Sequence, residues 1–243
     1  VQKMREGSYS HHAEVGGNDE IYDLASEFNA MADRLQTTEE ARRRFVSDAS
    51  HELKTPLAGI RLLSDSILQT ENMDAQTVRE FVGDIEQESE RLARITENLL
   101  RLTRLDSGAL PEAQEVDIAA VIARVVRMLR LVAEEKQVDL SYEVRREGKT
   151  LASEDELNEI IYNLTENAIK HNRPGGFVRV ALAGDEETCL LTVSDNGIGI
   201  PAEDMPRIFD RFYRVDKMRS RAAGGTGLGL SIAADTARRR GGS

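Results

Sequence analysis

The sequence has one cysteine, Cys189, no tryptophan, and aromatic residues at only 5% of its 243 positions. A single cysteine excludes an internal disulfide and any cysteine-based zinc cluster, and it suits a reducing compartment. So few aromatics argue against a barrel or sandwich built wholly of strands. No run of about eighteen apolar residues occurs, so nothing in these residues reads as a membrane-spanning helix. No secretory signal pattern occurs either. Positive charge is in deficit: Lys and Arg total 32 against 43 Asp and Glu, a net charge of -11. Such a chain is a poor binder of nucleic-acid phosphates, and no nucleic-acid partner is expected. What is abundant is charge, at 31% of residues, in the manner of helix-rich proteins. The length allows one or two domains at roughly 150 residues each. The chain opens at Val1 inside a helical pattern and reads as a piece of a longer polypeptide.

Four stretches follow from the patterning. In residues 1–38 a loop-like segment precedes a helix in which Ile21, Leu24, Phe28, Met31 and Leu35 recur at spacings of three and four. Asn18 or Asp19 would cap it. Residues 39–107 hold two long helical patterns separated by the short polar "TENMDA". Phe45, Ala49, Leu53, Pro56, Ile60, Leu63 and Ile67 form a narrow seam on the first. Val78, Val82, Ile85, Leu92, Ile95, Leu99 and Leu102 do so on the second. Two antiparallel helices bury little by themselves, and pairing two hairpins into a dimeric four-helix bundle is the economical solution.

Residues 108–116, "GALPEAQEV", read as a linker. From 117 to 243 helical and strand patterns mix. Asp117 caps a helix, "VDLSYEV" is a strand, and Ser153 with Glu156 forms a capping box on the next helix. "FVRVAL" and "TCLLTVSD" are strands, with Cys189 packed, and a glycine-rich region opens a last helix. The fold class expected is α+β and multidomain, a helical hairpin followed by an α/β sandwich.

One histidine stands out. At about 100° per residue from Phe45, the seam falls between about 0° and 80°. His51 falls at about 240°, Thr55 at about 280° and Asp48 at about 300°, on the outward face. Glu52 follows His51 and can orient or deprotonate an imidazole nitrogen. Pro56 sits in mid-helix, where its ring frees the carbonyl of residue 52. A bend beside an exposed histidine costs stability and points to function.

The stretch "FVSDASHELKTPLAGI" resembles the phosphoacceptor box of sensor histidine kinases, with the pattern His-Glu-x-x-x-Pro. "NLTENAIKH" is similar to the family's asparagine box, "DNGIGI" to its Asp-Gly box, "IFDRFYRVD" to its Phe-rich box and "GGTGLGLSI" to its second glycine box. "GNDEIYDLASEFNAMADRL" resembles the second half of a HAMP signalling linker. Neither a Walker lysine loop nor a protein-kinase signature occurs.

The resemblance implies that His51 takes the γ-phosphoryl group of ATP, that Glu52 is its acid/base partner, and that Thr55 positions water in a phosphatase reaction. It implies an ATP fold of the Bergerat type. Its binding residues would be Asn163, Asn167, Lys170, His171, Asp195, Gly197, Gly199, Arg211, Arg214, Gly225, Thr226, Gly227, Leu228 and Gly229. Asn167 would hold Mg2+, a hard ion suited by neutral oxygen ligands. Asp195 would accept from the adenine amino group. His171 stands where the family usually has Tyr or Phe. Residues 201–223 would form a lid, with Lys217 a further phosphate candidate.

The partners implied are a second copy of the chain, the receiver domain of a response regulator, and an upstream transmembrane sensor. The location implied is the cytoplasmic part of a membrane protein. The alternatives are a nucleotide-binding scaffold or dedicated phosphatase, and another Bergerat ATPase. The intact His-Glu pair argues against the first, the hairpin against the second. In this family a strand hairpin follows the last helix, so the natural polypeptide is expected to continue past Ser243.

Overall fold

A computed structural model of the chain describes residues 20–106, 112–145, 149–184, 188–215 and 225–242. The expected cap at Asn18 or Asp19 lies outside the described residues, with the first three residues of the HAMP-like segment. The chain divides into two compact units, one ending at Thr55 and one beginning at Pro56.

The described part of the first unit is helical, within helix α1 (Glu20–Gln69). Exposed ion pairs at helical spacing, Glu39 with Arg42 and Arg43 at 3.0 and 3.1 Å, line its polar side. Ile21, Leu24, Met31 and Leu35 of the apolar stripe are exposed in the single chain.

In the second unit α1 ends at Gln69, and α2 (Ala75–Asp106) begins after a short turn. Asp74 explains the restart. Its Oδ1 accepts from the Gln76 and Thr77 amides at 3.0 and 2.9 Å, and its Oδ2 from the Thr77 hydroxyl at 2.6 Å. These satisfy backbone donors that a helix start leaves open. Gly59 lies opposite Glu88, so α2 folds back along α1 as an antiparallel hairpin. Ile95 and Leu102 of the expected seam are fully buried. Val82, also assigned to the seam, is 52% exposed, and Phe81 beside it is the half-buried residue. The seam drifts by one position there because 3.6 residues per turn do not match a strict heptad.

The second part of this unit is an α/β assembly. Strand β1 (Gln114–Asp117) is followed by α3 (Ile118–Glu135), β2 (Asp139–Val144), β3 (Lys149–Ala152) and α4 (Glu154–Lys170). Then come β4 (Phe177–Gly184), β5 (Cys189–Asp195), a single 3₁₀ turn at Met205–Arg207 and α5 (Gly229–Arg239). β2, β4 and β5 form one sheet in that order, β2 parallel and β5 antiparallel to β4. β1 and β3 form a separate antiparallel ribbon. The C-terminal residues 112–116 of the expected linker are thus not all connector: Gln114 to Val116 belong to a strand and pair with Ala152 to Thr150. Only Val116 and Ala152 of that ribbon turn inward, too few to leave a period in the sequence.

The core follows from the helical spacing of α3. Val121, Ile122, Val125, Val126, Leu129 and Ala133 face α4 and the sheet, meeting Ile161, Ile169, Val178, Val180 and Leu182. Each such side chain contributes about 1.5–3 kcal/mol on burial. Asp117 caps α3 by accepting from Ala119 and Ala120. Glu156 reaches back to the Ser153 amide at 3.2 Å and closes the expected capping box. Cys189, expected to be packed, is exposed. It begins β5 opposite Gly184, which has no side chain to cover it.

Candidate functional site

In the first unit Asp48, His51 and Thr55 are exposed, as the helical arithmetic predicts, and Glu52 is half-buried. The Thr55 hydroxyl donates to the His51 carbonyl at 3.1 Å. That bond turns the threonine onto its own helix, one turn along the face that carries His51. Phe45, Ala49 and Leu53 are half-buried on the other side. Pro56 is a proline inside an otherwise continuous helix.

The remaining candidates gather in the second unit. Helix α4 carries Asn163, Asn167, Lys170 and, as its cap residue, His171. Asn163 lies under the start of α5: a side-chain carbon at Gly229 would come within 2.8 Å of the Asn163 Oδ1. A side chain at position 229 would have to displace the Asn163 amide. Asn167 is half-buried, and no side-chain hydrogen bond among the described residues engages its amide. Lys170 pairs with Glu166 at 3.0 Å, and Glu166 also accepts from the Tyr162 hydroxyl at 3.3 Å.

The Asp-Gly box meets the end of α4. The Ile198 amide donates to the His171 carbonyl at 3.1 Å. Asp195 Oδ1 accepts from the Gly197 amide at 2.9 Å, the side-chain-to-backbone turn that Asp-x-Gly favours. Asp195 and Gly199 are exposed. Burial pushes the His171 imidazole down from its ordinary range; Lys170 and Lys136 push the same way and Asp195 opposes them. At neutral pH the ring is therefore uncharged. The half-buried ring presents a flat, uncharged face.

The Phe-rich and glycine boxes also touch. The Phe212 amide donates to the Gly227 carbonyl at 2.9 Å, and Phe212 itself has a left-handed φ of 62°. Gly227 has φ 69°, and a side-chain carbon there would stand 2.9 Å from the Phe212 carbonyl carbon and 3.0 Å from the Tyr213 oxygen. Gly227→Ala combines left-handed strain of about 1–2 kcal/mol with a backbone clash. We expect it to lower the unfolding free energy of the α/β part by about 2–4 kcal/mol in a urea titration. A loss below 1 kcal/mol would show that this turn is loose.

Thr226 accepts from the Leu228 amide at 3.4 Å, and Leu228 is fully buried. Gly225 begins the described glycine box and is half-buried. Arg214 is half-buried. Arg211, a phosphate candidate from the sequence, holds Asp106 at 2.8 and 3.0 Å and Asp235 at 3.1 Å. Lys217 and residues 216–223 of the expected lid lie outside the described residues.

The four boxes therefore converge: α4 touches the glycine box through Asn163 and the Asp-Gly box through His171, and the Phe-rich box rests on Gly227. Among the described residues no three His, Cys, Asp or Glu side chains cluster for a metal. The donor set fits a magnesium ion that brings phosphate ligands with it and needs one neutral amide, Asn167.

Sequence reasoning missed four contacts. Arg240, the residue that follows α5, pairs with buried Glu156 at 2.7 Å. Asn98, Arg101 and Asp106 of α2 reach Thr226, Glu159 and Arg211. No local pattern marks any of them, since each joins residues far apart in the chain.

Three family models match. Residues 1–37 match the HAMP domain, 41–108 the His Kinase A (phospho-acceptor) domain, and 152–243 the histidine kinase-, DNA gyrase B- and HSP90-like ATPase. Sensor-like histidine kinase SenX3 of Mycolicibacterium smegmatis is 37% identical over 206 residues, 84% of this chain and 53% of that protein. Sensor histidine kinase YkoH of Bacillus subtilis is 34% identical over 217 residues, 89% of this chain and 47% of that protein. The chain thus spans about half the length of these relatives. Among solved structures, full-length ShkA in complex with AMPPNP aligns with a TM-score of 0.59 at 26% identity, covering 82% of this chain and 42% of that one. Histidine kinase ThkA in complex with response regulator protein TrrA shares the fold, with a TM-score of 0.65 at 19% identity over 93% of this chain and 62% of that one. With HAMP, phospho-acceptor and ATPase matches in that order along one chain, and a helical hairpin followed by an α/β ATPase fold, this chain belongs to the sensor histidine kinases of two-component systems.

Proposed function

We propose that the chain is the catalytic part of an ATP-dependent protein-histidine kinase whose phosphoacceptor is His51. The observation that carries this reading is the convergence of Asn163, His171, Gly197, Gly227 and Gly229, distant in sequence, around the C-terminal half of α4 and the start of α5. ATP with Mg2+ would supply the phosphoryl group and leave as ADP. Asn167 would hold the metal, the open amides at the start of α5 and Lys170 would meet the phosphates, and Asp195 would accept from the adenine amino group. His51 offers a ring nitrogen to the γ-phosphorus, and Glu52 takes or steadies the proton of the other ring nitrogen.

The domains of this reading are a HAMP-like linker to 38, the phosphotransfer hairpin over 39–107, a connector, and an ATP-binding domain that takes in the strand Gln114–Asp117. The partners are a second copy of the chain through the hairpin and the receiver domain of a response regulator, whose aspartate takes the phosphoryl group from His51. Exposed Leu57, Leu62 and Leu68 on the hairpin support the first. ThkA in complex with TrrA supports the second. The HAMP match and the sensor kinase relatives support a cytoplasmic part attached to a membrane sensor. No helix among the described residues is itself long and apolar enough to cross a membrane.

Incubation with γ-labelled ATP and magnesium tests the reading. Label that is lost in acid and kept in base marks phosphohistidine; no label, or acid-stable label, overturns it. Thr55→Ala is expected to leave this labelling intact while slowing dephosphorylation of a phosphorylated receiver domain by about tenfold or more. The threonine shares the face of His51 but gives up no proton in the forward step. Equal loss of both activities would make Thr55 a structural residue.

A further inference from the structure

The last turns of α2 are fastened to the ATP-binding part at three points. The Asn98 amide donates to the Thr226 hydroxyl at 3.3 Å, Arg101 donates to Glu159 at 2.7 Å, and Asp106 accepts two bonds from Arg211 at 2.8 and 3.0 Å. Between them Leu102 is fully buried. The first and third contacts use groups of the nucleotide boxes themselves. Thr226 belongs to the glycine box, and Arg211 precedes Phe212, whose backbone is bonded to Gly227. The bidentate fork between Arg211 and Asp106 is the geometry a guanidinium also uses for phosphate. Arg211 holds the Asp106 carboxyl below the usual carboxylate range, so Asp106 is anionic at neutral pH.

We propose that Asp106 is a built-in competitor for the nucleotide phosphates: it occupies the Arg211 guanidinium in this arrangement, and phosphate oxygens take its place when nucleotide binds. This rests on the nucleotide reading above and adds a residue outside the boxes that sets the affinity. One guanidinium cannot serve two forks at once, so phosphate binding loosens the grip of α2 on the ATP-binding part. By reciprocity, a firmer grip weakens the nucleotide. The second carboxylate on Arg211, Asp235 at 3.1 Å, lies on α5 and stays with Arg211 in either state.

The test is calorimetric titration of Mg-ATP into the parent protein, Asp106→Asn, Arg211→Ala and the double variant. Asp106 is half exposed, and unchanged melting temperatures would certify the fold. Asp106→Asn is expected to bind ATP about threefold to tenfold more tightly, the range of a well-formed ion pair near the surface. The gain should shrink at high salt, which screens the Asp106 charge. It should vanish in the Arg211→Ala background. Unchanged or weaker binding by Asp106→Asn, or a gain that persists without Arg211, would overturn the competitor role while leaving the nucleotide site standing. A parent protein that binds no ATP would overturn the nucleotide reading, and the competitor with it.

Discussion

His51→Gln is expected to abolish acid-labile labelling from γ-labelled ATP while leaving calorimetric ATP affinity almost unchanged. Glutamine keeps a polar side chain of helix-compatible length at an exposed position, so α1 is not disturbed. It has no nitrogen lone pair able to attack phosphorus, because the amide lone pair is delocalised. The residues proposed to hold nucleotide lie on other segments, in α4, after β5 and at the start of α5, and none neighbours His51 in sequence. The loss is therefore all-or-none in one assay and negligible in the other. Undiminished labelling would move the phosphoacceptor elsewhere in the chain. Parallel loss of affinity would place His51 in the nucleotide site.

Asp195→Asn is expected to weaken ATP binding by about tenfold to a hundredfold, the loss of one charge-assisted hydrogen bond at about 1.5–3 kcal/mol. The structure sharpens the reason. Asp195 Oδ1 already accepts from the Gly197 amide at 2.9 Å. An asparagine must keep its oxygen on that amide to preserve the turn, which leaves its NH₂ where Asp195 presents its second oxygen. A donor would then face the adenine amino group, itself a donor. Rotating the amide would repair one contact and break the other. Calorimetry on the variant checks this; unchanged affinity would count against Asp195 as the adenine acceptor.

Much of this fold was legible because helices carry a period and a cap. The α3 spacing and Asp117, the capping box at Ser153 and the polar break before Asp74 each state where an element begins. The exposed face of His51 followed from rotation about one helix, a local property. The ribbon of β1 and β3 was hidden because each strand has four residues and turns one side chain inward, so alternation never accumulates. The grip of α2 was hidden for another reason. Arg211 and Asp106 are 105 positions apart, and nothing in a charge-rich sequence says which acid meets which base. Arg211 was legible as a cation near the glycine box but not as one held by a carboxylate.

The pairing of Arg240 with Glu156 ties the end of α5 to the beginning of α4, across 84 positions. At its other end α5 is seated on Asn163 through Gly229. An eleven-residue helix, about 16 Å long, is thereby pinned at both ends to the same neighbour. Every residue proposed to touch nucleotide, from Asn163 to Gly229, falls within the stretch of chain that this tie closes. The boxes then cannot fray one by one from the chain ends. They share a common opening event, so amide exchange across the site should report a single protection level, set by how often that knot comes undone.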